Sequence, residues 1–427
     1  MNGLNTTAAI ADGKAGPLGW PGWPGWIGPL VAVVAGYVVL CSCVRFRFEK
    51  AMQRRFGYTD RASLARMTND DAQAILQYII QREFPQMYNL SLQFGIFKTY
   101  GFATVSKLLV ATRALTDPQM AGKRYEDTVV IFSEFSLNPP TSDRCLQALA
   151  RMNYLHERYR AAGQIDNADL LYTLAACVTE PIRFLRLYEW RPLNAMERCA
   201  LGVFWKSIGD AMGIGYDGHL ARGASGDWRD GLAFVDDLTA WAAEHERAHM
   251  RPDVANTVTS RRLVDMLLHQ VPQPLRPLAV EALTVLMGQR MREAFLYPEP
   301  GIVAATATYG ALMARRFVLR YLALPRFAPV TPLSAADPTT GRMHLQGGAY
   351  LVEPWYQRPT RWARWGPAAL LRRLLGGLVP ADNDRWMAGG YRFEDIGPQN
   401  RMGQGVAEAA AEVDRLRQKR PSGCPFA

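Results

Sequence analysis

Two stretches of the sequence hold histidine in settings that suggest chemistry. In "ALARMNYLHERYR" (148–160) His156 stands in a helical pattern among apolar residues, and "EHERAHM" (244–250) contains a literal H-E-x-x-H formed by His245, Glu246 and His249. A lone histidine in apolar company is either a structural residue or a single metal ligand. Two histidines one helical turn apart can share a zinc ion while the glutamate activates a water molecule.

The H-E-x-x-H motif lies in "TAWAAEHERAHMRPDV", near the end of a predicted helix that is dense in charge. A zinc enzyme also needs a third ligand and a rigid, sheltered helix face. Glu244, Arg247 and Arg251 beside the motif are typical of a solvated surface, and neither Asp265 nor His269 has a compelling third-ligand spacing. A zinc hydrolase therefore stands as an alternative function for this chain.

His156 has apolar neighbours on its own helix. Leu149, Met152 and Tyr159 lie on or near its stripe, so we predict that the imidazole is buried. A buried neutral imidazole needs a hydrogen-bond donor or a metal for its acceptor nitrogen. This helix alone leaves both readings open, and it favours the structural histidine.

The preceding predicted helix adds two polar residues that point inward. In "KRYEDTVV" Arg124 and Thr128 are one turn apart and share a face. Burying a guanidinium and a hydroxyl costs free energy unless they bind something polar. With His156 they would form a small polar pocket inside a helical shell, which is consistent with a haem site: an imidazole on the iron, and an arginine and a hydroxyl for oxygen or a propionate.

The elements that must hold this pocket are helices. From about Met67 to Leu324 the apolar residues recur with a helical period, and Ser142 or Asp143 on one helix and Asn194 on another are well placed as N-caps. There is no P-loop and no G-x-G-x-x-G after a strand, so a nucleotide-binding fold is not indicated. We predict an all-α domain over 45–325 and, after Pro325, a less regular C-terminal region over 326–427 with short β-like pieces.

The N-terminus predicts a single membrane anchor. Ile27 to Val44 is an uncharged run of about 18 residues, long enough to span a bilayer. The tryptophans before it and the basic residues after it are Trp20, Trp23, Trp26, Arg45, Arg47, Lys50, Arg54 and Arg55. This order predicts a lumenal segment 1–26, a transmembrane helix 27–44 and a cytosolic remainder. Asn5 then starts a glycosylation sequon on the lumenal side.

Composition restricts the partners. The net charge is +10, and the six cysteines show no disulfide spacing and no P450-type haem-ligand setting. In "RPTRWARWGPAALLRRLLGGLVP" (358–380) arginines alternate with tryptophan and leucine, which favours contact with anionic lipid headgroups over nucleic-acid binding. A solvated basic face is the alternative for this segment.

The chain resembles the fungal ER-bound oxygenases of the mycophenolic acid type, membrane-anchored relatives of the rubber oxygenases. The resemblance runs through "MTNDDAQAILQYI", "KRYEDTVV", "NPPTSDRCLQALARMNYLH", "YEWRPLNAMERCALGVFWKSIGDAMGI" and "LRYLALPR" to "RWARWGPAA". It implies haem b on His156, with Arg124 and Thr128 as an R-x-x-x-T pair and Arg160 as a further arginine beside the haem. Rubber oxygenases carry an iron-capping lysine where this chain has Asp127, so their closed resting state is not implied.

The activity implied by this resemblance is cleavage of a carbon–carbon double bond, with O2, in the farnesyl-type chain of a meroterpenoid at the ER membrane. An anchored enzyme would meet such a lipophilic substrate at high local concentration, since prenyl chains partition into bilayers. A non-catalytic membrane protein that recruits other pathway enzymes is a further alternative, which the predicted polar pocket disfavours.

Overall fold

The structure is a computed structural model that describes residues 26–113, 115–346, 350, 353–381, 384–419 and 423–426. The sequon at Asn5, the tryptophans Trp20 and Trp23, and the predicted lumenal segment up to residue 25 lie outside the described residues. Within them the chain is all-α, as predicted. The β-like pieces expected after Pro325 are isolated bridges there, at Leu333–Leu345, Met343–Tyr391 and Leu345–Gln357.

The helices follow one another with short connections. Their bounds are α1 (Ile27–Arg45), α2 (Arg47–Phe56), α3 (Arg61–Leu64), α4 (Asn69–Tyr78), α5 (Pro85–Thr99), α6 (Ala103–Ala111), α7 (Pro118–Leu137), α8 (Asp143–Ala161), α9 (Asn167–Tyr188), α10 (Ala195–Ala211), α11 (Gly231–His249), α12 (Val254–Leu267), α13 (Arg276–Ala294), α14 (Ile302–Phe317), α15 (Arg361–Trp365), α16 (Pro367–Leu374) and α17 (Val406–Lys419). Two π-helical turns, Ile79–Glu83 and Val318–Leu322, continue α4 and α14.

The core forms where α9 and α10 pack against α4, α5 and α11. α10 begins as predicted at Asn194, whose side chain accepts from the Glu197 amide in a reciprocal capping box. α10 and α11 cross at Gly202 and Gly231, where a Cβ on Gly202 would lie 2.1 Å from the Gly231 carbonyl oxygen. Glycine is required here because no side chain fits between the two backbones.

α7 and α8 form the hairpin that carries the predicted site. Asp117 caps α7 through the Gln119 amide, and Pro118 occupies its first turn. Ser142, the first of the two candidate caps, is the N-cap of α8 and accepts from the Cys145 amide at 3.4 Å, and Asp143 is the first residue of the helix. Both helices therefore begin at fixed residues, and this sets which of their side chains face one another.

The C-terminal region packs directly on α8 through Arg151. This arginine is fully buried, and its guanidinium donates to the carbonyl oxygens of Ile396, Gln404, Glu394 and Arg401 at 2.6 to 3.0 Å. α17 lies along the same helix. Four charge-assisted bonds to main-chain oxygens therefore hold the irregular segment on α8, in addition to the buried apolar residues that this region adds to the core.

Among the described residues, two helical runs are long and apolar enough to cross a membrane: Ile27–Phe56, which comprises α1 and α2, and Ile302–Leu322, which comprises α14 and its π-helical turn. The first contains the predicted anchor, and the second was not predicted. Most side chains of α1 are exposed, and only Cys41 and Arg45 are buried. The six cysteines are free thiols, as their spacing indicated. The single-pass topology stays a prediction.

Candidate active site

A large cavity runs between α5, α7, α8 and α12, with a volume of about 1240 Å³. Most of its wall is apolar, with Leu92, Ile96, Leu109, Val129 and Phe132 among the lining side chains. All four predicted site residues also line it: Arg124, Thr128, His156 and Arg160. The structure thus brings together, in one cavity, the three residues that the helical period placed on inner faces and Arg160, which the family resemblance implied.

His156 lies in the cavity wall with one ring nitrogen unused. Its Nδ1 is buried and has no hydrogen-bond partner among the described residues. Burial, and then the positive charges of Arg124 and Arg160, lower the pKa of His156 to about 4. The imidazole is therefore neutral at physiological pH, which is the form that binds a metal ion.

Arg124 faces the same cavity, and no ion pair or side-chain hydrogen bond of its guanidinium is found in the part of the chain that the structure describes. By contrast, the buried Arg191 contacts Glu197 at 2.7 Å, and the part-buried Arg144 binds Glu134. A guanidinium left unpaired beside an apolar cavity is suited to bind an anionic group, such as a carboxylate or a propionate.

Thr128 and Arg160 already use hydrogen-bond donors in contacts with main-chain oxygens, and this restricts the bonds that they can offer to a ligand in the cavity. The Thr128 hydroxyl donates to the Arg124 carbonyl oxygen at 3.0 Å, so it faces the cavity as an acceptor. Arg160 donates to the carbonyl oxygens of Met212 and Gly213 at 2.7 and 3.3 Å, at the end of α10. Arg160 therefore fixes the α8–α10 contact and brings a positive charge near His156.

Two tyrosines in the cavity wall were not found from the sequence. The Tyr125 hydroxyl is buried and has no partner among the described residues. Burial raises the pKa of Tyr125 and Tyr100, so both keep their protons and can donate hydrogen bonds. Adjacent helical residues point about 100° apart, so the periodicity that places Arg124 inward does not place Tyr125 there. Both Arg124 and Tyr125 line the cavity because the cavity extends around more than one face of α7.

Asp127, the departure from the rubber oxygenases, is a structural residue. Its buried carboxylate accepts from Lys123 Nζ at 2.9 and 3.0 Å, from the Tyr356 hydroxyl at 2.6 Å and from the Gly397 amide at 3.0 Å. The carboxylate binds the C-terminal region to α7, and both of its oxygens are occupied.

The H-E-x-x-H motif lies away from this cavity and has no zinc-site geometry. Glu246 is held by Lys98 Nζ at 2.7 Å and by the Tyr172 hydroxyl at 3.0 Å, so its carboxylate is part of an ion-pair cluster. His245 stacks on Trp241 with ring centroids 4.8 Å apart, and His249 is exposed. No group of three or more metal-binding side chains occurs among the described residues. The motif therefore does not support the zinc hydrolase alternative.

Comparison with known proteins gives concordant matches. Residues 116–319, which span α7 to α14, match the family described as "ER-bound oxygenase mpaB/B'/Rubber oxygenase, catalytic domain". The matched range contains all four predicted site residues.

Similarity to whole proteins extends further along the chain. The ER-bound oxygenase mpaB' of Penicillium brevicompactum is 37% identical over 401 residues, which is 93% of this chain and 94% of that protein. The ER-bound oxygenase mpaB of the same organism is 36% identical over 352 residues, which is 82% of this chain and 83% of that protein. The ER-bound oxygenase mpaB of Penicillium roqueforti is 39% identical over 269 residues, which is 63% of this chain and 90% of that protein.

Proposed function

The chain belongs to the family of ER-bound oxygenases mpaB/B' and rubber oxygenases and is an oxidoreductase of the oxygenase type; from this premise we propose that it cleaves a carbon–carbon double bond in an isoprenoid chain. The substrate class is a lipophilic prenylated molecule, such as a meroterpenoid with a farnesyl-type tail. One O2 is consumed for each bond broken, and its two oxygen atoms become the carbonyl oxygens of the two fragments.

The observation that carries this proposal is the cavity itself. Its volume of about 1240 Å³ exceeds the roughly 300–1,000 Å³ of sites that enclose drug-sized ligands. The wall is mostly apolar, and its polar residues include a cluster of His156, Arg124 and Arg160, which lie close enough together for both arginine charges to lower the pKa of His156. An extended hydrocarbon chain needs such a lining, and oxygen chemistry at one point along it needs such a polar cluster.

The residues at the polar cluster fit haem b. His156 offers a neutral imidazole with an unused buried nitrogen, and Arg124 offers an unpaired guanidinium for a propionate or for developing negative charge on oxygen. When bound, haem b would supply O2 binding and the redox chemistry of the cleavage. The chain's own residues would hold the olefin near the iron and keep water from the reacting atoms.

Three further polar side chains, Tyr125, Thr128 and Arg160, would also contribute to the site. Tyr125, protonated and without a partner among the described residues, would donate a hydrogen bond to developing oxygen charge. Thr128 would accept a hydrogen bond on the cavity side, and Arg160 adds to the lowering of the His156 pKa that burial and Arg124 cause. The relatives named as ER-bound oxygenases support placement at the ER membrane. The basic residues that follow the apolar run support a helical domain on the cytosolic side.

An absorption spectrum and an iron determination on the full chain purified in detergent test this function. We expect a Soret band and about one iron per chain, both lost in His156→Ala and both retained in the matched control His249→Ala. Incubation of a farnesyl-substituted phenol with O2 should yield two carbonyl fragments with the parent protein. Retained haem and undiminished turnover in His156→Ala would remove His156 from the mechanism, and no substrate consumption by the haem-loaded protein would refute the reaction.

A further inference from the structure

The helix Ile302–Leu322, formed by α14 and the π-helical turn after it, has an outer face without charge. None of the α14 side chains is buried, and Ile302 and Val303 are 82% and 79% exposed. The large apolar residues on the outer face are Ile302, Val303, Tyr309, Met313, Phe317, Val318, Tyr321 and Leu322. A surface helix in water normally presents its polar residues outward, whereas this helix presents apolar residues outward.

The charged residues of the same helix point toward the protein. Arg315 binds Glu189 at 2.8 Å, Arg316 donates to the Leu187 carbonyl oxygen at 3.4 Å, and Arg320 lies 4.5 Å from the Phe46 ring centroid. The arginines are thus held on the inner face by α9 and by the α1–α2 junction. The uncharged outer face results from the fold, because three available charges are turned away from it.

A contact with α1 sets the depth of this helix. The Tyr37 hydroxyl donates to the Leu322 carbonyl oxygen at 2.9 Å. Tyr37 lies ten residues after Ile27, so it is about 15 Å along the apolar run that starts there, near the middle of a core roughly 30 Å thick. If α1 spans the bilayer, Leu322 lies inside the hydrocarbon layer.

We propose that Ile302–Leu322 is a second membrane-embedded element, beside α1 in the same bilayer, with its outer face against lipid acyl chains. Its uncharged part, 302–314, covers about 20 Å, which is shorter than the hydrocarbon core. Gly301 at its start also stays close to Glu281 of α13. The helix therefore lies within one leaflet and does not cross the membrane. This placement does not depend on the oxygenase chemistry.

Depth-dependent fluorescence quenching on the full chain in phosphatidylcholine–phosphatidylserine vesicles tests the proposal. The background chain replaces the exposed Cys43 and the half-buried Cys424 with serine. In it an environment-sensitive fluorophore is attached to Ala311→Cys on the outer face, or to Val33→Cys on α1 as the membrane reference. Ala243→Cys, an exposed helical alanine on α11, is the matched aqueous control.

We expect the label at Ala311→Cys to emit at short wavelength and to be quenched by acyl-chain nitroxide lipids as strongly as the label at Val33→Cys, while the label at Ala243→Cys is not quenched. Emission like that of Ala243→Cys would overturn the proposal. A water-shielded label that the nitroxide lipids do not reach would also overturn it, because a second copy or another protein would then cover this face. Either outcome leaves the test of the haem and of the reaction unaffected.

Discussion

The Asp127 carboxylate accepts a hydrogen bond from the Tyr356 hydroxyl at 2.6 Å and thereby joins α7 to a residue 229 positions away. Both groups are buried. Lys123 completes the cluster with bonds to Asp127 and to the carbonyl oxygens of Asp395 and Gly397. Thr128 follows Asp127 directly, so the cluster fixes the rotation of α7 that turns Arg124 and Thr128 toward the cavity.

Removing the Tyr356 hydroxyl should weaken the contact between α7 and the C-terminal region without creating a cavity in the core. Tyr356→Phe leaves a buried carboxylate oxygen with one bond fewer, and a bond to a charged group contributes about 1.5–3 kcal/mol. We expect the free energy of unfolding to fall by about 2 kcal/mol, measured as a lower midpoint of thermal unfolding in detergent. Tyr309→Phe, at an exposed site, is the control. Equal midpoints for the two variants would show that Asp127 does not depend on this bond.

The sequence predicted the inward faces of α7 and α8 well because a helical period determines direction. Arg124, Thr128 and His156 line one cavity, as the period requires. Tyr125 escaped the prediction because it lies off the predicted stripe and the width of the cavity cannot be read from one helix. The role of Asp127 escaped it because Tyr356 and Gly397, its partners, are more than 200 residues away.

The second membrane-type helix escaped the sequence analysis for a different reason. Arg315, Arg316 and Arg320 interrupt its hydropathy, and a linear sequence does not show that all three turn inward. Their partners are Glu189 directly after α9, the Leu187 carbonyl oxygen in α9 and the Phe46 ring between α1 and α2, all more than 100 residues away in the sequence. Hydropathy measures composition along the chain, whereas exposure to lipid depends on which face packs against the protein.

The stability of the cofactor-free protein should depend on pH through His156. Its pKa is lowered from 6.5 to about 4, so the unfolded chain binds a proton at this residue that the folded chain does not. The stability that the neutral His156 contributes to the free energy of unfolding is fully present above pH 6.5. It is lost as the pH falls toward 4, and the loss has an upper bound of about 3 kcal/mol. His156→Gln, which cannot titrate, should therefore lose less unfolding free energy than the parent between pH 7 and pH 4.5.

The comparison with His156→Gln isolates one histidine. Burial and the neighbouring His249 lower the pKa of His245 to about 4 as well, and this contribution is common to both chains and cancels. Chemical denaturation at the two pH values measures the difference. Parallel losses in parent and variant would mean that His156 is not buried in its neutral form.

Glu246 should behave as a structural residue. Glu246→Ala leaves the Tyr172 hydroxyl without its acceptor and leaves Lys98 with Glu180 as its remaining carboxylate, at 2.9 Å. We expect a loss of about 1–3 kcal/mol in unfolding free energy. His249→Ala, at an exposed site, should change stability by less than about 0.5 kcal/mol and leave turnover intact. Loss of activity in both variants with unchanged stability, together with bound zinc in the parent, would restore the hydrolase alternative.

One place where a residue of the cavity wall is exposed at the surface is Val330, eight residues after the proposed membrane-embedded helix, and we expect a mouth of the cavity there. Val330 is 37% exposed and lines the cavity, and its amide donates to the Gln81 carbonyl oxygen at 2.8 Å. Arg82 holds the same segment by donating to the Phe327 carbonyl oxygen at 2.9 Å. This mouth would therefore face the bilayer, from which a prenylated substrate could pass into the cavity without crossing water.

Val330→Trp should narrow this mouth while keeping the main-chain bond to Gln81. We expect kcat/KM for a farnesyl-type substrate presented in vesicles to fall about tenfold, or about 1.4 kcal/mol in the free energy of activation, with haem content and thermal midpoint unchanged. The matched control is Val258→Trp, which places the same ring at an exposed valine on α12 that is not among the cavity-lining residues. If both variants turn over the substrate as fast as the parent chain, the substrate reaches His156 by another path.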